Sequence, residues 1–457
     1  MNDSANHHAA PNHAAALRIA LAFASAGLQA PASAPRMVCN LGLDVGSGVD
    51  SSDCSAGHGG IGAGSGFDTR GAVAGAGAGV GVGTGDAGAG VSDASAHGAE
   101  VRHLDLDRKT SPLERSIATF CTRGDLPDFD IIVLHQPWSC LSAEIQAVAV
   151  DFVRRKLRAG GVFAVSYHCR PGWAPLAPVR SLLAQTASRL GAPGANAPDN
   201  TAAADTDTDA NMIGQVLDFT DSLLDTSPAY FGAYPHVAER LRSLRTEPEP
   251  VLARDYFGHW QPASFANMAK LLDQAKLTFA CPADYLDHIA DLHLSGQQQA
   301  LLAELADRVF AESVRDFMVN RSFRSDYWVK GARPLSPLQT LEAKRRPSVV
   351  LAAPQPSLPP AFATALRGPG HGSIDALGQA AVQETVQETV QETGQETVQE
   401  TRQEAARASV LALMADQQPR TVGELAATLQ GAQFTLQQVF EAVLLLVGTG
   451  QLALESA

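Results

Sequence analysis

Cysteine is scarce and scattered in this chain. Six occur in 457 residues (Cys39, Cys54, Cys121, Cys140, Cys169 and Cys281), and no two form a Cys-x-x-Cys pair. That pattern argues against a disulfide framework and against zinc held by paired thiolates, and it fits a reducing, cytoplasmic setting. Positive charge is also short: 48 acids face 34 Lys and Arg, for a net charge of −14 and a pI near 5.3. Nucleic acid and an anionic membrane are therefore not expected as partners. No stretch approaches the roughly 18 apolar residues of a membrane span. Residues 19–28 are apolar, and Ala32-Ser33-Ala34 beyond them imitates a signal-peptide cleavage site. The leader before them is long, contains Asp3 and has Arg18 as its one basic side chain, so 17–28 is read instead as a helix preceding the first strand. His7, His8 and His13 belong to a polar tail and are read as solvated, with no metal expected.

The most informative stretch is 129–173. It opens with Phe129-Asp130-Ile131-Ile132-Val133-Leu134, an apolar run of strand length that ends in His135-Gln136-Pro137-Trp138-Ser139. Leu141, Ile145, Val148 and Phe152 then recur at helical spacing. Arg154, Arg155, Lys156 and Arg158 load the end of that helix, and Gly160-Gly161 are expected to stop it. Residues 161–167 read as a second buried strand, followed by His168-Cys169-Arg170-Pro171-Gly172-Trp173. Strand, helix and strand in this order predict a right-handed crossover in a parallel sheet, with ligands at the carboxyl ends of the strands.

Three segments of this stretch carry a resemblance. They are 128–135 (Asp-Phe-Asp-Ile-Ile-Val-Leu-His), 157–167 (Leu-Arg-Ala-Gly-Gly-Val-Phe-Ala-Val-Ser-Tyr) and 171–173 (Pro-Gly-Trp). They resemble the fourth and fifth strands of class I S-adenosylmethionine-dependent methyltransferases. More narrowly, they are similar to the bacterial branch that carries a methyltransferase regulatory domain and includes protein-lysine methyltransferases. The resemblance implies an α/β fold: a Rossmann-like methyltransferase domain, a mostly helical regulatory domain and a small C-terminal winged-helix-like module.

The same resemblance assigns the site. Residues 37–44 take the place of the first strand and its glycine-rich loop, with Asn40 where an acid is usual, Gly42 kept, and Asp44 in place of a second glycine. Asn40, Gly42 and Asp44 are expected to meet the methionine part of S-adenosyl-L-methionine. Residues 101–105 resemble the second strand, ending in Asp105, which either accepts both ribose hydroxyls or caps the next turn. Residues 116–120 and Arg123-Gly124-Asp125 resemble the third strand and an acid that meets the adenine amino group. His135 and Ser139 would line the cofactor cleft, Tyr167 and His168 would face the methyl acceptor as catalytic residues, and Trp138 and Trp173 would wall the substrate. Ordinary packing competes for both tryptophans.

The remainder divides by composition. A tail and helix span 1–35, and the methyltransferase-like domain spans 36–190. Within the latter, 55–98 is a Gly/Ala-rich insertion unable to bury enough surface to order itself. The regulatory domain is expected over 211–333, where 255–265 and 314–324 resemble the family most specifically; Arg254-Asp255 stands where His-Glu is common. Residues 334–404, Pro-rich and then repeating Gln-Glu-Thr, are expected to be a disordered linker. In 405–457, three helices and a short strand suggest the winged-helix-like module. Its cations are few and its acids many, which favours packing over phosphate contact. The expected function is methyl transfer to a protein, with lysine as the acceptor. The alternative is a catalytically degenerate methyltransferase fold acting as a regulatory or binding partner.

Overall fold

In the computed structural model, the described residues are 10–31, 37–41, 100–103, 113–134, 138–190, 206–246, 252, 256, 260–352, 395–432 and 434–455. The chain begins with helix α1 (Ala10–Ser25), then strands β1 (Met37–Asn40) and β2 (Glu100–His103), helix α2 (Leu113–Cys121) and strand β3 (Phe129–Leu134). Helix α3 (Ala143–Lys156) leads directly into strand β4 (Leu157–His168). Helices α4 (Ala177–Leu190), α5 (Thr206–Asp225) and α6 (Pro235–Ser243) follow, then α7 (Phe265–Asp273), β5 (Leu277–Pro282), α8 (Arg308–Met318) and β6 (Phe323–Lys330).

These strands form one six-stranded sheet in the order β2-β1-β3-β4-β6-β5. β2, β1, β3 and β4 run parallel, whereas β6 is antiparallel to both β4 and β5. Alternating side chains sort onto two faces. On one face Cys39, Ile132, Phe163 and Trp328 pack under α2, α3 and α7. On the other, Val38, Ile131, Val133, Val162 and Val329 pack under α1 and the C-terminal helices. Both faces are covered, as a parallel sheet requires.

Two local expectations need correction. Residues 116–120 lie inside helix α2, not in a third strand, because Ile117, Phe120 and Cys121 are buried at helical spacing. The helix α3 ends at Lys156, ahead of Gly160-Gly161, and β4 is correspondingly longer than 161–167. Gly161 has a different role. A Cβ there would stand 2.9 Å from the backbone oxygens of Asp130 and Arg158, so glycine lets β4 pass closely beside β3.

The C-terminal part is built from α9 (Pro337–Arg345), β7 (Ser348–Leu351), α10 (Gln395–Leu413), β8 (Arg420–Thr421), α11 (Val422–Leu429), α12 (Leu436–Gly448) and β9 (Leu452–Glu455). β7 lies between β8 and β9 in an antiparallel three-stranded sheet. The stretch expected as a linker from 334 thus contributes a helix and a strand. A capping box of Ser336 and Gln339 starts α9, and Val349 of β7 is fully buried. Pro347 had disguised this strand as linker. Residues 353–394, with most of the Gln-Glu-Thr repeat, lie outside the described residues, and α10 begins within its last copies.

Candidate functional site

β1 pairs with β2 on one side and with β3 on the other, so the strand order reverses between β1 and β3. The carboxyl ends at such a reversal splay apart and leave a crevice. Asn40, half-buried, ends β1 with Val133 of β3 on one side and His103 of β2 on the other. Gly42, Asp44, Asp105 and His135 follow these strands in sequence but lie outside the described residues.

Beyond β3, a turn of 3₁₀ helix spans Trp138–Cys140. Trp138 is 1% exposed and packs edge-on to Phe163 of β4, so it is core. Ser139 is fully buried. Its Oγ accepts from the backbone N–H of His168 at 2.9 Å and donates to the His168 carbonyl at 3.3 Å. Ser139 therefore splices the turn after β3 to the tip of β4.

Tyr167 and His168 complete that tip, and neither has exposed surface. The Tyr167 hydroxyl donates to Asp326 Oδ2 at 2.7 Å. Burial, with the Asp326 carboxylate adding to it, lifts the phenol well above its ordinary range. His168 Nδ1 accepts from Trp260 Nε1 at 3.1 Å. Its ring meets Trp173 at 4.9 Å, Phe323 at 5.7 Å and Trp260 at 5.9 Å between centroids. Trp173 is 3% exposed and reaches from there into the apolar core of α4, α5 and α6. Those helices cap the carboxyl edge at β4, with Arg180 stacked 4.2 Å over Trp260.

A charged network of α8 and β6 lies directly behind the tip. Arg324 donates to Asp316 at 2.7 Å, Glu312 at 2.8 Å and Asp326 at 2.9 Å. The Cys169 thiol donates to Asp316 at 3.1 Å. One guanidinium thus gathers three carboxylates, two of which hold the residues on either side of His168. Burial raises the Asp326 carboxyl to about 6 despite Arg324, and it raises Asp316 as well. Burial opposes the charge on Arg324, yet Asp326 and the neighbouring acids hold its pKa above the ordinary value. Just beyond β4, Gly172 abuts the chain before β6: a Cβ would come within 2.7 Å of Arg321 and Asn320 backbone atoms.

Of the residues chosen from sequence, the fold brings Ser139, Tyr167, His168 and Trp173 together at one strand tip, and Asn40 to the end of β1, two strands away. Trp138 lies beneath them in the core. Asp125 is elsewhere. It precedes β3, at the amino end of the sheet, where it is exposed and paired with Arg123 at 2.6 Å. Its selection followed from the third strand that α2 replaces. Sequence reasoning passed over Trp260, Asp316, Arg324 and Asp326. For the three charged residues a signal was present, since Asp316, Arg324 and Asp326 stand among Phe317, Met318, Phe323, Tyr327 and Trp328.

Residues 248–330 match the model of a predicted methyltransferase regulatory domain. An uncharacterized protein of Synechocystis sp. is 33% identical over 220 residues, covering 48% of this chain; the chain spans 40% of that relative's length. Among solved structures, PKMT2 from Rickettsia typhi in complex with AdoHcy is 16% identical, with a TM-score of 0.45 over 78% of this chain and 62% of that one. A second structure of the same protein gives 0.42 at 16% identity, over 78% and 61% of the two chains. The matched segment contains both β5 and β6, two of the six strands of the sheet.

Proposed function

We propose that this chain is an S-adenosylmethionine-dependent methyltransferase whose acceptor is a protein lysine side chain. One observation carries the reading: a segment matching a methyltransferase regulatory domain completes the sheet whose strand reversal lies at Asn40. The half-buried carboxamide of Asn40, at the crevice between parallel strand ends, offers a donor and an acceptor and suits an amino-acid headgroup. Asn40, Gly42 and Asp44 would hold the methionine part, Asp105 the ribose and His135 the wall after β3. When bound, S-adenosylmethionine supplies a methyl group on a sulfonium that a deprotonated amine takes by in-line displacement. The chain's own task is alignment. Ser139 locks the end of β4 to the turn after β3, and Asp326 and Trp260 fix Tyr167 and His168. We read Tyr167 and His168 as positioning residues, since both side chains are buried.

That burial favours a second reading, a degenerate methyltransferase fold used for regulation or binding. Calorimetry of the full chain with S-adenosylmethionine separates the two. The first reading expects saturable binding that Asn40→Ala weakens by about tenfold, or roughly 1.4 kcal/mol. Absence of binding at about millimolar cofactor, roughly −4 kcal/mol, leaves the second. Labelled-methyl transfer into acid-stable lysine of a protein fraction then tests the acceptor; label confined to small molecules rejects it.

A further inference from the structure

We propose that a groove in the segment matched by the regulatory-domain model binds a flat aromatic carboxylate. The groove lies between α7, α8 and β5 and measures about 530 Å³, within the roughly 300–1,000 Å³ usual for small-molecule sites. It lies at the β5 end of the sheet, three strands from β3, so the proposal does not rest on the methyltransferase reading. Phe265, Phe279 and Trp328 form its floor, Phe279 7% exposed and the other two 1%. Phe265 stacks on Trp328 at 5.6 Å and 25°, while Phe279 meets both rings edge-on. A flat ring joins such a cluster by pressing in beside Phe279, the least buried of the three, since Arg324 already lies over Phe265 and Arg308 over Phe279.

Two observations specify an acid. Lys270 and Arg308 line the groove against the single carboxylate of Asp273, an excess of positive charge in an acidic protein. Independently, Trp328 is 1% exposed and its indole N–H meets no hydrogen-bond partner among the described residues. A buried donor left in that state favours any acceptor that can reach it. The donor has no exposed surface, so a carboxylate oxygen must press in beside Phe265 and Phe279. An added peptide strand is the less suitable occupant. Arg308 already donates to the Phe279 and Ala280 carbonyls, at 3.0 and 2.5 Å, and a register shift interrupts β5 there.

Occupancy would be felt at the β4 tip. The same Phe265 and Phe279 rings lie 4.3 and 5.5 Å from the Arg324 guanidinium, which holds Asp326 and through it Tyr167.

The test titrates naphthoate into the full-length chain, read by calorimetry and by the indole N–H resonance of Trp328, which is assigned from its loss in Trp328→Phe. The expected result is saturable binding that shifts this resonance. Naphthalenemethanol, uncharged and of the same shape, binds at least about tenfold more weakly, as do the Lys270→Glu and Trp328→Phe variants. Ala266→Trp, an exposed change that fills the groove, abolishes binding. The proposal is overturned if naphthoate does not bind at about millimolar concentration, if the alcohol binds as tightly, or if both Ala266→Trp and Lys270→Glu leave affinity unchanged. Neither Lys270→Glu nor Ala266→Trp replaces a buried side chain, so thermal melts of both should match the wild type.

Discussion

The sheet meets the rest of the chain at two junctions of opposite chemistry. Behind the β4 tip, Arg324 binds three carboxylates, and Tyr167 and Cys169 join them. Under the other face, the sheet, α1 and the C-terminal helices share one apolar cluster that includes Val410, Val422, Leu425 and Val443, all fully buried. A polar junction fixes one register, since each partner must find its own atom; an aliphatic junction mainly requires volume. The contrast implies that the tip is built for placement and the C-terminal face for adhesion.

Removing the hub of the polar junction should have the largest effect. Arg324→Ala leaves buried acids without their cation and should cost about 3–5 kcal/mol in urea unfolding. Arg324→Lys should recover little of this, because an ammonium cannot reproduce the guanidinium fork. On the aliphatic side, Leu425→Ala should cost about 3 kcal/mol through its cavity, while Leu425→Met costs under about 1.5. If the Lys and Met replacements prove equally mild, the contrast between the junctions fails.

The pH dependence sharpens the comparison. Burial lifts Asp326 to about 6 in the folded chain. Its contribution to stability is therefore complete below about pH 4, the unfolded value, and is lost as pH rises through about 6. Asp287 is the counterexample: burial opposes its ionisation, but Arg321 at 2.6 Å and Arg315 hold it down at about 2. Its contribution is present above about pH 4 and disappears as pH falls through about 2. Between pH 4 and 7 the wild type should thus lose on the order of 2 kcal/mol relative to Asp326→Asn, read from urea midpoints. Asp287→Asn should show no such trend in that window. The smallest effect belongs to Tyr167→Phe. Loss of one buried hydroxyl contact should cost about 1 kcal/mol, with a larger proportional change in any methyl-transfer rate than in melting temperature.

Much of the fold could be read from particular residues. β3 announced itself through the apolar run from Ile131 to Leu134, and α3 through its four-three-four spacing and basic final turn. β6 was hidden because Arg324 and Asp326 interrupt it with charges that look like a solvated loop. Only the tertiary partners Asp316, Glu312 and Tyr167 make those charges compatible with burial. The site was legible in position but not in orientation. A strand end could be placed at Tyr167 and His168, yet their inward direction depends on Asp326 and Trp260, more than 90 residues away. Asp125 went astray for a different reason. Ile117, Thr119 and Phe120 have strand-like side chains, and the helical interval between Ile117 and Cys121 was the weaker signal.

The antiparallel placement of β6 between β4 and β5 has a consequence for how this polypeptide can be dissected. Cutting the chain ahead of residue 248 would strip β4 of its neighbour and bare a long ladder of backbone donors and acceptors beside an apolar face. The severed N-terminal piece should aggregate rather than persist as a folded domain, so the parts before and after residue 248 must be inherited as a single unit.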